Sequence, residues 1–241
     1  MEDRWTEERP NGFTIGWADW AEYRVERSDD RGEVEVLLGG VDPWDAALGL
    51  VFSVLPLAVP LFDLEPLHGS AVTIGDRALL ILGHSGAGKS TIAAGLRDRG
   101  FGFVTDDACA IDASGLLWPG PPLLTTRDDA GSGRIAHYDE KSVVLIEDHR
   151  ADPLSVAGTI VLVPGPAPRL GVRSLSGPDA LAAILGHVRS GWLHATRRRA
   201  LQLEVASLMA REPVAAVEFQ PEEHRPVDVV EAVAGWASSA T

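Results

Sequence analysis

Apolar and polar residues alternate through residues 22–27 and again through 32–37, and the stretch between them, Ser28-Asp-Asp-Arg-Gly32, is made of turn formers. A period of two on both sides of a turn predicts a β-hairpin with one solvated face. Residues 1–15 are polar by comparison and are expected to fray. Asp42-Pro43 supplies an N-cap and a first-turn proline, so a helix is expected from there to about Leu55. The most apolar stretch, residues 46–62, is shorter than a comfortable membrane span and carries Pro56 and Pro60. It reads as a core-facing helix followed by an extended segment, not as an anchor.

From residue 67 the pattern changes to short apolar strands and helical periods. Residues 67–74 read as a strand, Gly75-Asp-Arg as a turn and residues 78–82 as a second strand. A helix is expected from Lys89 to about Arg99, with Ile92, Ala93 and Leu96 on one face and Gly100 placed to stop it. Residues 101–105 are a strand that ends at Asp106-Asp107, residues 108–111 continue it or pair back, and 112–115 turn. Residues 119–140 are irregular, and a loop this long in a compact domain is either functional or disordered. Beyond it, strands are expected at 141–146, 158–163 and 214–219, and helices at 176–188, 196–211 and 227–236.

The second of the early strands runs into Gly83-His-Ser-Gly-Ala-Gly-Lys-Ser-Thr91. This matches the phosphate-binding pattern G-x-x-x-x-G-K-[ST], in a strand-to-helix context that the pattern requires. Gly83, Gly86 and Gly88 permit turns that aim successive N–H groups at one point, where the next helix begins with its positive end. His84, Ser85, Ala87 and Thr91 belong to the same cradle. Lys89 can reach the terminal phosphates, and the Ser90 hydroxyl can ligate Mg²⁺. The chain's lysine usage sharpens the point: of 21 basic side chains only Lys89 and Lys141 are lysines. A compact ammonium stands where the loop needs a point charge, for which arginine is a poor substitute.

Composition narrows the partners. The 241 residues are 45% hydrophobic, enough for one sizeable core and an appendage. A formal charge of −14 disfavours nucleic acid and anionic lipid. The single Cys109 rules out an internal disulfide, fits a cytoplasmic location and reads as a small buried strand residue. No secretory leader pattern is visible at the charged N-terminus.

Asp106 and Asp107 come 17 residues after Lys89. One carboxylate after an apolar strand is what a Mg²⁺ site beside a phosphate loop needs. Successive strand residues face opposite ways, so both can address the phosphates only if the strand ends there. Paired like charge would then raise one carboxylate toward a proton-accepting role; a solvated turn is the plainer account. Lys141 is read either as a contact to the transferred phosphate or acceptor, or as a strand-edge lysine. Arg127 and Arg134, in the irregular stretch, are candidate substrate contacts. Arg197-Arg-Arg199 spreads over several faces of a helix and reads as its solvated start.

Taken together, His68-Gly69, the loop Gly83–Thr91, and Arg99-Gly100 through Val104-Thr-Asp-Asp107 resemble the catalytic core of bacterial HPr kinase/phosphorylase. The segment 157–188 and Lys141 look like the short HPr-kinase-related proteins, some of which accompany peptide-maturation systems such as lasso peptide clusters. The resemblance implies an α/β P-loop kinase core of HPr kinase/PEP carboxykinase type, with a mixed sheet flanked by helices over 66–241 and a small α+β appendage over 1–65. It implies an ATP- and Mg²⁺-dependent serine kinase acting on a small protein or peptide, and a homo-oligomer. Asp106 would assist the metal, Asp107 would accept the acceptor's proton and His68 would tune the aspartates. The family's downstream Arg-Gly-x-Gly signature is absent, and its metal-side glutamate is unplaced, with Glu140 and Glu147 as candidates. The loop also resembles that of adenylylsulfate kinases, which makes a small-metabolite kinase the alternative, alongside a non-catalytic nucleotide-binding partner.

Overall fold

In a computed structural model the described residues are all but 1–3, 30, 128–133, 139, 167–168, 190–194 and 241, with the side chains of 195–197 and 240 also outside the description. The Asp128-Asp129 and Gly131–Gly133 part of the irregular stretch and the Arg197 side chain fall among those. The chain divides into two units: residues 1–64 with 190–198, and residues 65–189 with 199–241.

The first unit is built on a four-stranded antiparallel meander of β1 (Arg4–Arg9), β2 (Gly12–Trp17), β3 (Ala21–Ser28) and β4 (Arg31–Leu38). The hairpin expected from the alternation is β3–β4, joined in register from Ala21↔Leu38 to Ser28↔Arg31. The frayed N-terminus is overturned. Phe13 and Ile15 of β2 stand opposite Val25 and Tyr23 of β3, and all four are buried. That burial orders the preceding strand as well.

The extended segment after Leu55 is also corrected, because the chain stays helical to Phe62. Helix α1 (Pro43–Gly49) starts on the Asp42 carboxylate, which accepts a 2.8 Å bond from the Trp44 N–H. A wide π-turn (Leu50–Val54) follows, then α2 (Leu55–Ala58) and a 3₁₀ turn (Val59–Phe62). Pro56 and Pro60 each open a fresh helical segment, where no backbone donor is needed, and so do not break the run. Gly49 is required by close approach: a Cβ there would lie 2.3 Å from the Trp20 ring and 2.8 Å from the Tyr23 hydroxyl. By length and composition the helical run 43–62 could cross a membrane; here its buried face, with Val54 and Ala58, packs against Phe13, Ile15 and Tyr23.

The second unit is a mixed α/β layer structure, a mixed sheet flanked by helices. At its centre are three parallel strands, β7 (Arg77–Gly83), β14 (Leu154–Pro164) and β16 (Val214–Phe219), in spatial order β7-β14-β16. Antiparallel β6 (Gly69–Ile74) and β8 (Phe103–Thr105) extend it beyond β7, and β15 (Gly171–Leu175) beyond β16. β5 (Glu65–Leu67), β9 (Cys109–Ile111) and β10 (Leu116–Trp118) join through the start of β14. Strand β7 is buried on both faces, as expected of a central parallel strand. Its period-two alternation feeds two cores. Leu79 and Ile81 pack with α3 (Lys89–Arg97) and α6 (Pro226–Ala240). Ala78, Leu80 and Leu82 pack with α4 (Pro178–Leu185) and Val205, Ala206 and Met209 of α5 (Ala195–Met209). Cys109 is fully buried in β9, and burial pushes its thiol pKa up. The irregular stretch is partly ordered as a small sheet: β11 (Leu123–Thr126) and β12 (Arg134–Tyr138) flank β13 (Lys141–Leu145).

Candidate active site

Strand β7 delivers Gly83 into the loop, and α3 begins at Lys89. Gly86 and Gly88 have φ of +83° and +92°, the left-handed region that side chains disfavour. A Cβ at Gly86 would touch nothing within 4 Å, so its only effect is backbone strain. We expect Gly86→Ala to lower stability by about 1–2 kcal/mol in urea unfolding; unchanged stability would mean that the loop takes up another conformation.

Lys89 is 7% exposed although it carries an ammonium. Its Nζ donates to the carbonyls of Gly83 (2.9 Å) and His84 (3.1 Å) and lies 3.0 Å from His68 Nε2. An ammonium has only donors, so Nε2 is the acceptor and the His68 proton sits on Nδ1. Nδ1 is 3.2 Å from the Asp107 carbonyl and 3.5 Å from its Oδ1. Burial first, and the Lys89 charge second, lower the His68 pKa, with Asp107 opposing them; the imidazole is neutral at pH 7. Burial also lowers the Lys89 pKa, against the pull of Asp107 and Asp106. His68 thus joins the ammonium to Asp107.

Strand β8 ends at Thr105, which meets the condition for both aspartates to turn toward the loop. The Thr105 hydroxyl donates to the Ala108 carbonyl and the Ala108 N–H to the Asp106 carbonyl, closing a tight turn with Asp107 at φ +69°. The two carboxylates then part. Asp106 is buried: Oδ1 accepts from Ser70 (2.5 Å) and Ser90 (2.9 Å), and Oδ2 accepts from the Thr125 N–H and hydroxyl (both 2.9 Å). Asp107 lines a cleft with His68, the loop, Thr125, Arg127 and Lys141. Its Oδ2 accepts a 2.7 Å bond from Arg189 Nη2. The donor set suits Mg²⁺, which takes one or two protein oxygens and completes its shell with water and phosphate. Ser90 gives its proton to Asp106 and keeps its lone pairs for a cation. Among the described residues no cluster of three or more His, Cys, Asp or Glu could hold a metal unaided.

Of the candidate contacts, Lys141 and Arg127 line the cleft and Arg134 does not; it is exposed in β12. Glu140 and Glu147 are exposed and also stand off the cleft. Four residues of the site escaped the sequence reading: Ser70, Thr125, His187 and Arg189. Only Ser70, two residues beyond His68, had a local signal.

His187 packs its ring on the loop's His84, with centroids 5.1 Å apart, and is 7% exposed. Burial, then the charges of His84 and Lys89, push its pKa down to about 4. The unfolded chain therefore binds a proton between pH 6.5 and 4 that the folded one refuses. Stability is complete above pH 6.5 and falls by about 3 kcal/mol by pH 4 from this group. Urea titrations of His187→Phe should show a correspondingly shallower acid limb; an unchanged limb would refute the burial argument.

No protein-family model matches the chain. The HPr kinase/phosphorylase of Chlorobium chlorochromatii (strain CaD3) is 46% identical over 48 residues. Over that stretch the chain is HPr-kinase-like. The matched residues are 20% of this chain and 14% of that protein. The Hpr(Ser) kinase/phosphatase from Coxiella burnetii aligns with 72% of this chain and 97% of its own, at 16% identity and a TM-score of 0.38. The resemblance drawn from His68, the loop and the aspartate pair is borne out to the extent of that 48-residue match.

Proposed function

We propose that the protein is a kinase that moves the γ-phosphate of Mg·ATP to a serine or threonine hydroxyl of a small protein or peptide. The observation that carries this is the continuous link from Lys89 through His68 to Asp107 at the rim of the loop. A phosphate cradle alone binds nucleotide. A carboxylate at its rim, tied to the loop's own lysine, adds a proton acceptor where an incoming hydroxyl must stand.

The backbone N–H groups of the loop and Lys89 hold the β- and γ-phosphates, and Mg²⁺, when bound, neutralises charge that builds on the phosphate oxygens. Ser90 would hold the metal directly, and Asp106, whose oxygens already accept from Ser70, Ser90 and Thr125, would assist it by holding the Ser90 hydroxyl. Asp107 takes the hydroxyl proton as the new O–P bond forms and the bond to ADP breaks. Lys141 and Arg127, which line the same cleft, offer positive charge to the acceptor or to the transferred group. The cytoplasm, where ATP is abundant, is the compartment this reading needs.

The test is turnover. With Mg·ATP and a degenerate pool of serine and threonine peptides, ADP and phosphopeptide should appear together. Phosphorylation of small hydroxyl metabolites but of no peptide would replace the acceptor class, and ATP binding with no turnover at all would make this a nucleotide-binding module.

A further inference from the structure

The closest polar contact of Asp107 is not with the loop but with Arg189, 82 residues further along the chain (189 − 107). The stretch 187–189 is fixed by its backbone to the strand that leads to His68. The His68 N–H donates to the His187 carbonyl (2.7 Å), the Arg189 N–H donates to the Pro66 carbonyl (2.9 Å), and Leu67 pairs antiparallel with Val188. The two side chains that flank the Asp107 carboxylate therefore come from two paired stretches. Arg189 takes Oδ2 at 2.7 Å, while His68 Nδ1 stands 3.5 Å from Oδ1. Both side chains of the ion pair are less than a third exposed, so water competes weakly for the contact.

The chemistry of the partner matters. A guanidinium stays protonated at any working pH and accepts no hydrogen bond. It can orient a carboxylate without competing for the proton that carboxylate is to receive.

We propose that Arg189 is a positioning residue of the transfer reaction: it holds the Asp107 carboxylate in the orientation that receives the acceptor's proton. It acts through Asp107, exchanges no proton and need not touch the phosphate. The inference rests on the reading of Asp107 as the proton acceptor. In the step it serves, the hydroxyl O–H bond breaks to Asp107, the O–P bond forms, and the γ-phosphorus parts from ADP with the electron pair going to the departing oxygen.

The experiment is a double-mutant cycle on the full chain, with Mg·ATP and the degenerate serine/threonine peptide pool, reading transfer rate and ATP dissociation constant separately. Arg189→Ala should slow transfer about 10–100-fold, the order expected when a reacting group is misplaced by about an ångström. Its ATP affinity should stay within twofold of the parent's, which also shows that the variant is folded. Arg189→Lys, which keeps the charge but not the fork, should recover part of the rate and still report if the alanine variant fails to fold. Arg189→Ala combined with Asp107→Asn should be no slower than Asp107→Asn alone, because Arg189 acts only through that carboxylate. Parent-like transfer by both Arg189 variants, with Asp107→Asn impaired, overturns the role of Arg189 and leaves the base intact. Parent-like transfer by Asp107→Asn overturns the reading of the site, and the proposal with it. Additive losses in the double variant also overturn it, since Arg189 would then act elsewhere.

Discussion

Asp107→Asn is expected to bind Mg·ATP as the parent does and to lose about 10²–10⁴ of its transfer rate, the span that a positioned general base contributes. Asparagine is the informative replacement. It keeps the volume and tolerates the left-handed backbone at φ +69°, so the turn after β8 survives. It also leaves the loop untouched, since the Lys89 ammonium bonds to Gly83, His84 and His68 and not to Asp107. What it removes is the charge, and with it the capacity to take a proton. Single-turnover phosphopeptide formation and calorimetric ATP binding, made on the same preparation, separate the two quantities. A rate within threefold of the parent's would dismiss Asp107 as the base and turn attention to Asp106. The structure argues against that exchange. Asp106 is buried and already accepts from Ser70, Ser90 and Thr125, so it has little capacity left for an acceptor hydroxyl.

The divided fates of two adjacent aspartates show where sequence reasoning works and where it stops. Their position after an apolar strand and their distance from Lys89 are local facts, and both were legible. Which of the two reaches the cleft depends on the donors that meet each one, and those come from β6, β11 and the stretch after α4. Nothing in the spacing of Thr125 or Arg189 announces them, because the contact is made by the sheet order and not by the sequence neighbourhood. The same holds for His187, which reaches His84 of the loop from 103 residues away (187 − 84).

In the first unit the errors were of another kind. Pro10 and Asn11 join β1 to β2, and β1 reads as polar chain because its residues, Arg4–Arg9, are all exposed or half-exposed. Edge strands carry little apolar pattern of their own, and their order comes from the neighbour they pair with. β15, also exposed through its middle, passed unnoticed for the same reason. The prolines at 56 and 60 misled in the opposite direction. A proline ends a helix only where its missing donor and its ring meet an ongoing ladder, and the π-turn before Pro56 removes that conflict.

The other large effect is expected at Lys89. Its ammonium has three donors and three neighbours that take them: the Gly83 and His84 carbonyls and His68 Nε2. A phosphate oxygen can gain a donor from Lys89 only if one of these bonds yields. The two carbonyl contacts belong to the loop's own backbone, so on the proposed reading His68 is the partner that would give way, and its link to Asp107 would change with it. Lys89→Met removes the charge and keeps most of the side-chain bulk. ATP should bind about 10–150-fold more weakly, the equivalent of a charged hydrogen bond worth about 1.5–3 kcal/mol. Transfer at saturating ATP should fall a further 10²–10³-fold, roughly what the loss of one preorganised charge donor costs a transition state. Lys89→Arg should rescue little, because a planar fork does not reproduce a compact ammonium in a turn this tight. Arginine serves almost everywhere else in this chain, so a parent-like Lys89→Arg would show that the lysine at 89 carries no special duty. Equal losses in binding and in saturated rate for Lys89→Met and Lys89→Arg would place that duty in the compact ammonium and not in positive charge as such.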